Sequence, residues 1–332
     1  MTESFFTGPF APMCELFVSQ KRAAGLAYRQ QSILLRMFDD FCKDYTVRDY
    51  EITEEIAVAW AARRPNEREV TRHNRIAEMQ RFSLFLSGQG HKSYLFPALP
   101  KAPGNHQPYI FSEDEIRRLF THLDGLEPTN SSPYRHLAYP CLMRILYGCG
   151  TRVTETLDLQ KRDVDLEKGI LYIRHGKNDA ERIVPMSRSV TECCRNYASA
   201  VHASTDGEIP FFFTKEKDAY SRHTIGKAFR GFLWDVGIPY RGKDAGPRLH
   251  DVRHTFVCHC IKRWAEAGIP IYSRLPALSK YLGHSSVSAT QWYLHLSADI
   301  YPHIRNVCEQ AMGGMYEKSL AAFTKEDEDE DE

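Results

Sequence analysis

Residues 97–108 read Pro-Ala-Leu-Pro-Lys-Ala-Pro-Gly-Asn-His-Gln-Pro, and no other stretch limits the fold of this chain as strongly. Four prolines and a glycine in twelve residues remove backbone donors and set φ angles that neither a helix nor a sheet interior can continue. Two bodies are therefore expected: a helical domain over 1–97, a linker over 98–108, a second domain over 109–323, and an acidic tail over 324–332. The length of 332 residues, more than one hydrophobic core usually organises, points the same way.

Apolar residues at three- and four-residue spacing predict helices over 11–24, 28–44, 53–63 and 70–87, as in Ile33, Leu34, Met37, Phe38 and Phe41. After the break, Ser112 followed by Glu113, Asp114 and Glu115 is a helix start, with acids at the positive end of the dipole. A long helix is expected at 134–148 and another running to Leu159. Strands over 170–174 and 182–185 would form a β-hairpin, with His175 to Glu181 as its polar turn. From Thr191 onward the pattern is again helical. The fold class expected is mainly α with a small β-sheet.

A hydrophobic content of 42% with 26% charged residues excludes general disorder, and no apolar run approaches the ~18 residues a membrane helix needs. The N-terminus has neither a basic start nor a long apolar stretch, so no signal peptide is expected. Nine scattered cysteines suit reduced thiols in a cytoplasmic protein. The 43 acids and 43 bases cancel, but seven of the acids form residues 326–332; without them 43 bases face 36 acids, a body near +7. A basic body with an acidic tail fits a nucleic-acid partner, the competing reading being a tail that only aids solubility. Bases cluster in the first half at Lys21, Arg22, Arg63, Arg64, Arg68, Arg72, Arg75 and Arg81. Of these, Arg68, Arg72 and Arg75 are expected on one helical face, which suits a run of DNA phosphates, the competing reading being an ordinary solvated face.

Four segments carry reactive side chains. Gly150-Thr151-Arg152-Val153-Thr154-Glu155 sets an arginine after a glycine turn at a helix start, where a guanidinium and backbone N–H groups can face one anion. His175-Gly176-Lys177-Asn178-Asp179 sets a lysine at the tip of the hairpin. His250-Asp251-Val252-Arg253 puts a histidine and an arginine on one helical face, with Phe256, Cys260 and Trp264 continuing a buried side. Leu282-Gly283-His284 precedes a helix bearing Tyr293. Taken singly, each has an ordinary structural reading: a helix-start arginine, a solvated lysine, a surface pair, a core aromatic.

Their order and spacing closely resemble the tyrosine recombinase (phage integrase) family. Its signature is an arginine in a Gly-x-Arg-x-x-Glu-Leu-like motif, a hairpin lysine, His-x-x-Arg, and Leu-Gly-His followed nine residues later by a nucleophilic tyrosine. Those positions fall on Arg152, Lys177, His250, Arg253, His284 and Tyr293. The resemblance covers roughly residues 110–310, and the N-terminal half is similar in character only. Thr156 stands where leucine is commoner, and the stretch between Gly268 and His284 is longer than usual.

The resemblance implies an N-terminal helical core-binding (SAM-like) domain and a C-terminal mixed α/β catalytic domain. It also implies strand cleavage through a 3′-phosphotyrosine on Tyr293, with Arg152 and Arg253 on the phosphate, Lys177 as general acid, His250 moving the tyrosine proton and His284 bonding the phosphate. The expected partners are double-stranded DNA recombination sites, further copies of the chain in a tetramer on two such sites, and an accessory directionality factor. Residues 302–323 would form an exchanged C-terminal helix. No cofactor, metal or ATP is required, and action on DNA in the cytoplasm or nucleoid is expected. His250, His254 and Cys258 lie four apart with Cys260 nearby, but no Cys-x-x-Cys pair accompanies them, so a metal site is not expected. A DNA relaxer of the same chemistry and a DNA-binding regulator without catalysis remain open alternatives.

Overall fold

The computed structural model describes residues 5–96, 108–174, 176, 181–203, 208–242, 246–284, 287–301 and 304. Two compact units emerge, Met1–Gly104 and Asn105–Glu332. The proline-rich stretch, apart from Pro108, lies outside the described residues.

Among the described residues the first unit holds four α-helices, α1 (Ala11–Ala23), α2 (Arg29–Phe41), α3 (Glu54–Ala61) and α4 (Glu69–Gly88), where periodicity predicts them. They pack through aromatic rings: Phe38 lies 5.5 Å from Phe10 and 5.3 Å from Trp60, and Phe17 lies 5.5 Å from Phe82. Such pairs add about 0.5–1.5 kcal/mol each beyond the area they bury. Thr53 starts α3 by accepting from the Ile56 N–H at 3.3 Å.

One expectation is corrected in this unit. Arg75 does not share an outer face with Arg68 and Arg72; it is only 1% exposed. Its guanidinium forks at 2.8 Å onto both oxygens of Glu67, whose side chain is 5% exposed, and donates to the carbonyls of Trp60 and Ala62. A buried charge must be matched inside the protein, and Glu67 matches it. Arg68 is exposed just ahead of α4, whereas Arg72 is half-buried and donates to the Ala61 carbonyl at 3.1 Å.

The second unit opens with α5 (Glu113–Asp124), started as expected by Ser112: its hydroxyl accepts from the Glu115 N–H at 3.2 Å, and Glu115 accepts from the Ser112 N–H at 2.8 Å. α6 (Arg135–Cys149) and the five-residue α7 (Val153–Leu157) follow. The sheet has three strands rather than two: β1 (Val164–Asp165), β2 (Ile170–Ile173) and β3 (Arg182–Pro185), antiparallel in that order. Ile173 pairs with Arg182 at one end of the β2–β3 pair, and Ile170 with Pro185 at the other. α8 (Arg188–Val201) and α9 (Arg222–Asp235) complete a core in which Leu142, Leu146, Leu171, Val184, Phe212 and Leu233 are buried. α10 (Asp251–Glu266), α11 (Ile271–Leu282) and α12 (Val287–Ile300) enclose a second cluster around Val257, Ile261, Leu275, Leu282 and Tyr293. The longer stretch before His284 is helical: it forms α11, with Pro276 inside it.

Candidate active site

Two glycine turns organise the site. Gly150 ends α6 at φ +59° and Gly283 ends α11 at φ +71°, left-handed values that disfavour any side chain. Space demands glycine as well: a Cβ at Gly150 would run into the Phe256 ring, and one at Gly283 would come within 2.9 Å of the Arg182 guanidinium. The bare turns let arginines reach main-chain carbonyls. Arg253, 2% exposed, donates to the Gly150 carbonyl at 2.7 Å and to the Leu282 carbonyl at 3.0 Å. Arg152 reaches the Gly283 carbonyl at 3.5 Å. Both guanidiniums therefore meet at the turn that carries His284.

Glu155 fixes Arg152. One carboxylate oxygen accepts from Arg152 Nη1 at 2.9 Å and the other from the Arg152 backbone N–H at 2.9 Å, so that N–H is already engaged. Arg182 on β3 then forks onto both oxygens of Glu155 at 2.7 Å and donates to the Tyr281 carbonyl at 3.0 Å. Burial pushes the Glu155 carboxyl up, but the bonds and charge of Arg182, then the charges of Arg152 and Arg253, bring it down to about 2. Thr156, the departure from the family pattern, is fully buried; its hydroxyl lies 2.7 Å from that of Thr151 and donates to the Arg152 carbonyl at 3.1 Å. A leucine would lose both contacts.

Tyr293 lies in an aromatic nest and is 3% exposed. Its hydroxyl is 2.9 Å from Nδ1 of His254. The His284 ring stacks over the tyrosine ring, 6.1 Å between centroids and 6° from parallel, while its Nδ1 lies 2.8 Å from the Thr290 hydroxyl. His250 sets its ring edge-on to His254 at 4.7 Å. α10 is buried on every side from Asp251 to His259, so His250 and Arg253 are not an ordinary surface pair. Tyr301, the next tyrosine along the chain, has the Lys262 ammonium 5.5 Å from its ring.

Five of the six residues singled out by spacing thus gather around two turns and one helix: Arg152, His250, Arg253, His284 and Tyr293. Lys177 lies outside the described residues, as do 302–323 apart from the buried Ile304, and the acidic tail. Two residues with clear roles in the geometry are not among the six signature positions, His254 and Arg182. His254 stood in the sequence only as part of the metal reading; here its Nδ1 faces a tyrosine hydroxyl. Among the described residues no three His, Cys, Asp or Glu side chains are grouped to hold a metal ion. Chemically, a buried phenol beside imidazoles, with two guanidiniums at the adjoining turn, suits attack of oxygen on a phosphate ester.

A profile of the phage integrase family matches residues 110–299. A putative integrase/recombinase y4rB of Sinorhizobium fredii is 30% identical over 302 residues, covering 88% of this chain and 94% of that one. Tyrosine recombinase XerA of Thermococcus kodakarensis is 28% identical over 212 residues, covering 64% of this chain and 65% of that one. Among solved structures, a Tn1549 transposon integrase in complex with transposon right end DNA shares the fold with a TM-score of 0.61 at 16% identity, over 90% of this chain and 98% of that one. The chain belongs to the phage integrase family of tyrosine recombinases, enzymes that cleave and rejoin DNA.

Proposed function

We propose that this chain is a site-specific recombinase of the integrase or transposase type, in which Tyr293 attacks a DNA phosphodiester and holds the cut strand as a 3′-phosphotyrosine. The observation that carries this reading is the Tyr293 hydroxyl, buried among imidazoles, with the guanidiniums of Arg152 and Arg253 converging on the Leu282–Gly283 turn just before His284. Attack places charge on the non-bridging oxygens, which two guanidiniums stabilise. Lys177 protonates the leaving 5′-oxygen, His250 assists transfer of the tyrosine proton, and His284 bonds the phosphate. The phosphodiester energy stays in the tyrosyl link until a 5′-hydroxyl of the partner duplex attacks it, so neither ATP nor a metal enters the sequence.

The protein works as a tetramer on two DNA sites, exchanging C-terminal segments between neighbours, with an accessory factor setting direction. The N-terminal unit contributes phosphate contacts through Arg68 and Arg72, and the reaction takes place on DNA in the cytoplasm. The match to an integrase/recombinase along nearly its whole length supports this reading. It is tested with a nicked duplex that traps the covalent complex. Tyr293→Phe binds the duplex and forms no adduct, whereas Tyr301→Phe still does; sequencing the DNA trapped on the parent identifies the target. An adduct on Tyr293→Phe together with its loss on Tyr301→Phe would refute the assignment. Joining of two separate duplexes distinguishes recombination from relaxation.

A further inference from the structure

The residue on the Tyr293 hydroxyl is His254, which no motif of the family signature includes. We infer that His254 is the direct proton acceptor of Tyr293 during cleavage and returns the proton during rejoining, with His250 acting through it. The inference rests on the reading of Tyr293 as nucleophile.

Three features favour it. The 2.9 Å separation between the phenolic oxygen and Nδ1 is that of a made hydrogen bond, and the tautomer with its proton on Nε2 leaves Nδ1 a lone pair to accept. Both groups are withdrawn from bulk water, His254 at 7% exposure and Tyr293 at 3%, so the imidazole takes the part that water would otherwise play. The ring is also held in place: Trp292 packs 5.7 Å from it and His250 4.7 Å from it, both edge-on, and α10 is buried around it. A fixed acceptor on a reacting atom is the arrangement that proton transfer requires.

The step balances. The phenolic O–H bond breaks and its proton passes to Nδ1, giving an imidazolium. The phenolate oxygen bonds to phosphorus and the P–O5′ bond breaks, the leaving oxygen taking a proton from Lys177. Rejoining reverses each transfer: the attacking 5′-hydroxyl gives its proton to Lys177, and the departing Tyr293 oxygen recovers the proton from His254.

Two variants test this in single-turnover cleavage of the trapping substrate. His254→Asn keeps a hydrogen-bonding atom near the Nδ1 position but cannot take up the proton; its cleavage should fall roughly 10²–10⁴-fold with DNA binding unchanged. His254→Ala should be equally slow, and added imidazole should restore its rate in proportion to concentration, which a packing role would not produce. Cleavage by His254→Asn within threefold of the parent overturns the inference, as does a His254→Ala protein that imidazole leaves slow. If His254→Asn does not fold, the imidazole response of His254→Ala decides alone. Tyr293→Phe run beside them separates the two levels: an adduct there removes the nucleophile assignment, whereas its absence with a normal His254→Asn removes only His254.

Discussion

Arg182→Met should weaken the catalytic unit in a way that depends on pH. The pair it breaks is buried, with Arg182 10% and Glu155 2% exposed, and both bonds are 2.7 Å long. Lowering the Glu155 carboxyl from an ordinary 4.5 to about 2 favours its charged form in the fold by about 3 kcal/mol, at ~1.4 kcal/mol per factor of ten. Because the folded value is depressed, this stability is present above about pH 4.5 and is lost as the pH falls toward 2. Methionine keeps the aliphatic stem but removes the fork, leaving burial to push the carboxyl up against only Arg152 and Arg253. A buried carboxylate stripped of its main partner costs about 3–5 kcal/mol at pH 7. At pH 3 the variant's Glu155 takes a proton and the deficit shrinks. Denaturant unfolding followed by tryptophan fluorescence measures this, since Trp234, Trp264 and Trp292 all lie in the second unit. Other carboxylates titrate alike in both proteins and cancel in the difference. A deficit under about 1 kcal/mol at pH 7, or one of equal size at pH 3, would refute the electrostatic account of Glu155.

Arg75→Ala should cost about 3–5 kcal/mol by leaving Glu67 buried without its partner, yet leave the salt slope of DNA binding unchanged, as denaturation and DNA titrations will show. Lys177→Ala should slow cleavage of ordinary DNA roughly 10²–10⁴-fold. A substrate with sulfur at the bridging 5′ position, whose leaving group needs no proton, should recover much of the rate; equal defects on both substrates would remove Lys177 from the acid role. Deleting residues 326–332 should tighten binding to random-sequence duplex, most strongly at low salt, because seven acids no longer compete with phosphate for a body near +7. Indistinguishable low-salt affinities would leave those acids a solubility role.

Helices were the most legible part of the sequence, because a stripe of apolar residues repeats at the helical period and Ser112 with Glu115 marks a start by local chemistry alone. β1 is invisible in the sequence because a two-residue strand has no alternation to detect. The inward turn of Arg75 is hidden for a related reason. Spacing tells which residues share a face but not whether that face looks outward, and Glu67, eight residues earlier and outside the helix, turns that guanidinium inward. Pro140 and Pro276 sit inside helices that a local rule would break: Pro140 is itself buried, and the helix of exposed Pro276 is held by its buried neighbours Leu275 and Leu278.

The site was legible as a set of side chains and illegible as a geometry, and the acceptors explain the difference. Arg253 is held by the carbonyls of Gly150 and Leu282, Arg152 by that of Gly283, and Arg182 by that of Tyr281. A main-chain carbonyl is present at every position and has no identity in a sequence, so no pattern of residue types can announce it. What the sequence does record is the permission for such contacts: glycine where a Cβ would strike Phe256 or Arg182. The same holds for His254, whose partner Tyr293 stands 39 residues further along the chain. Four-residue spacing from His250 gave its face on α10; only the packing of α12 against that face gives it a hydroxyl to act on. Glycine turns next to charged residues, and histidines on helices buried all round, are thus the places where a motif is most apt to leave out a participant.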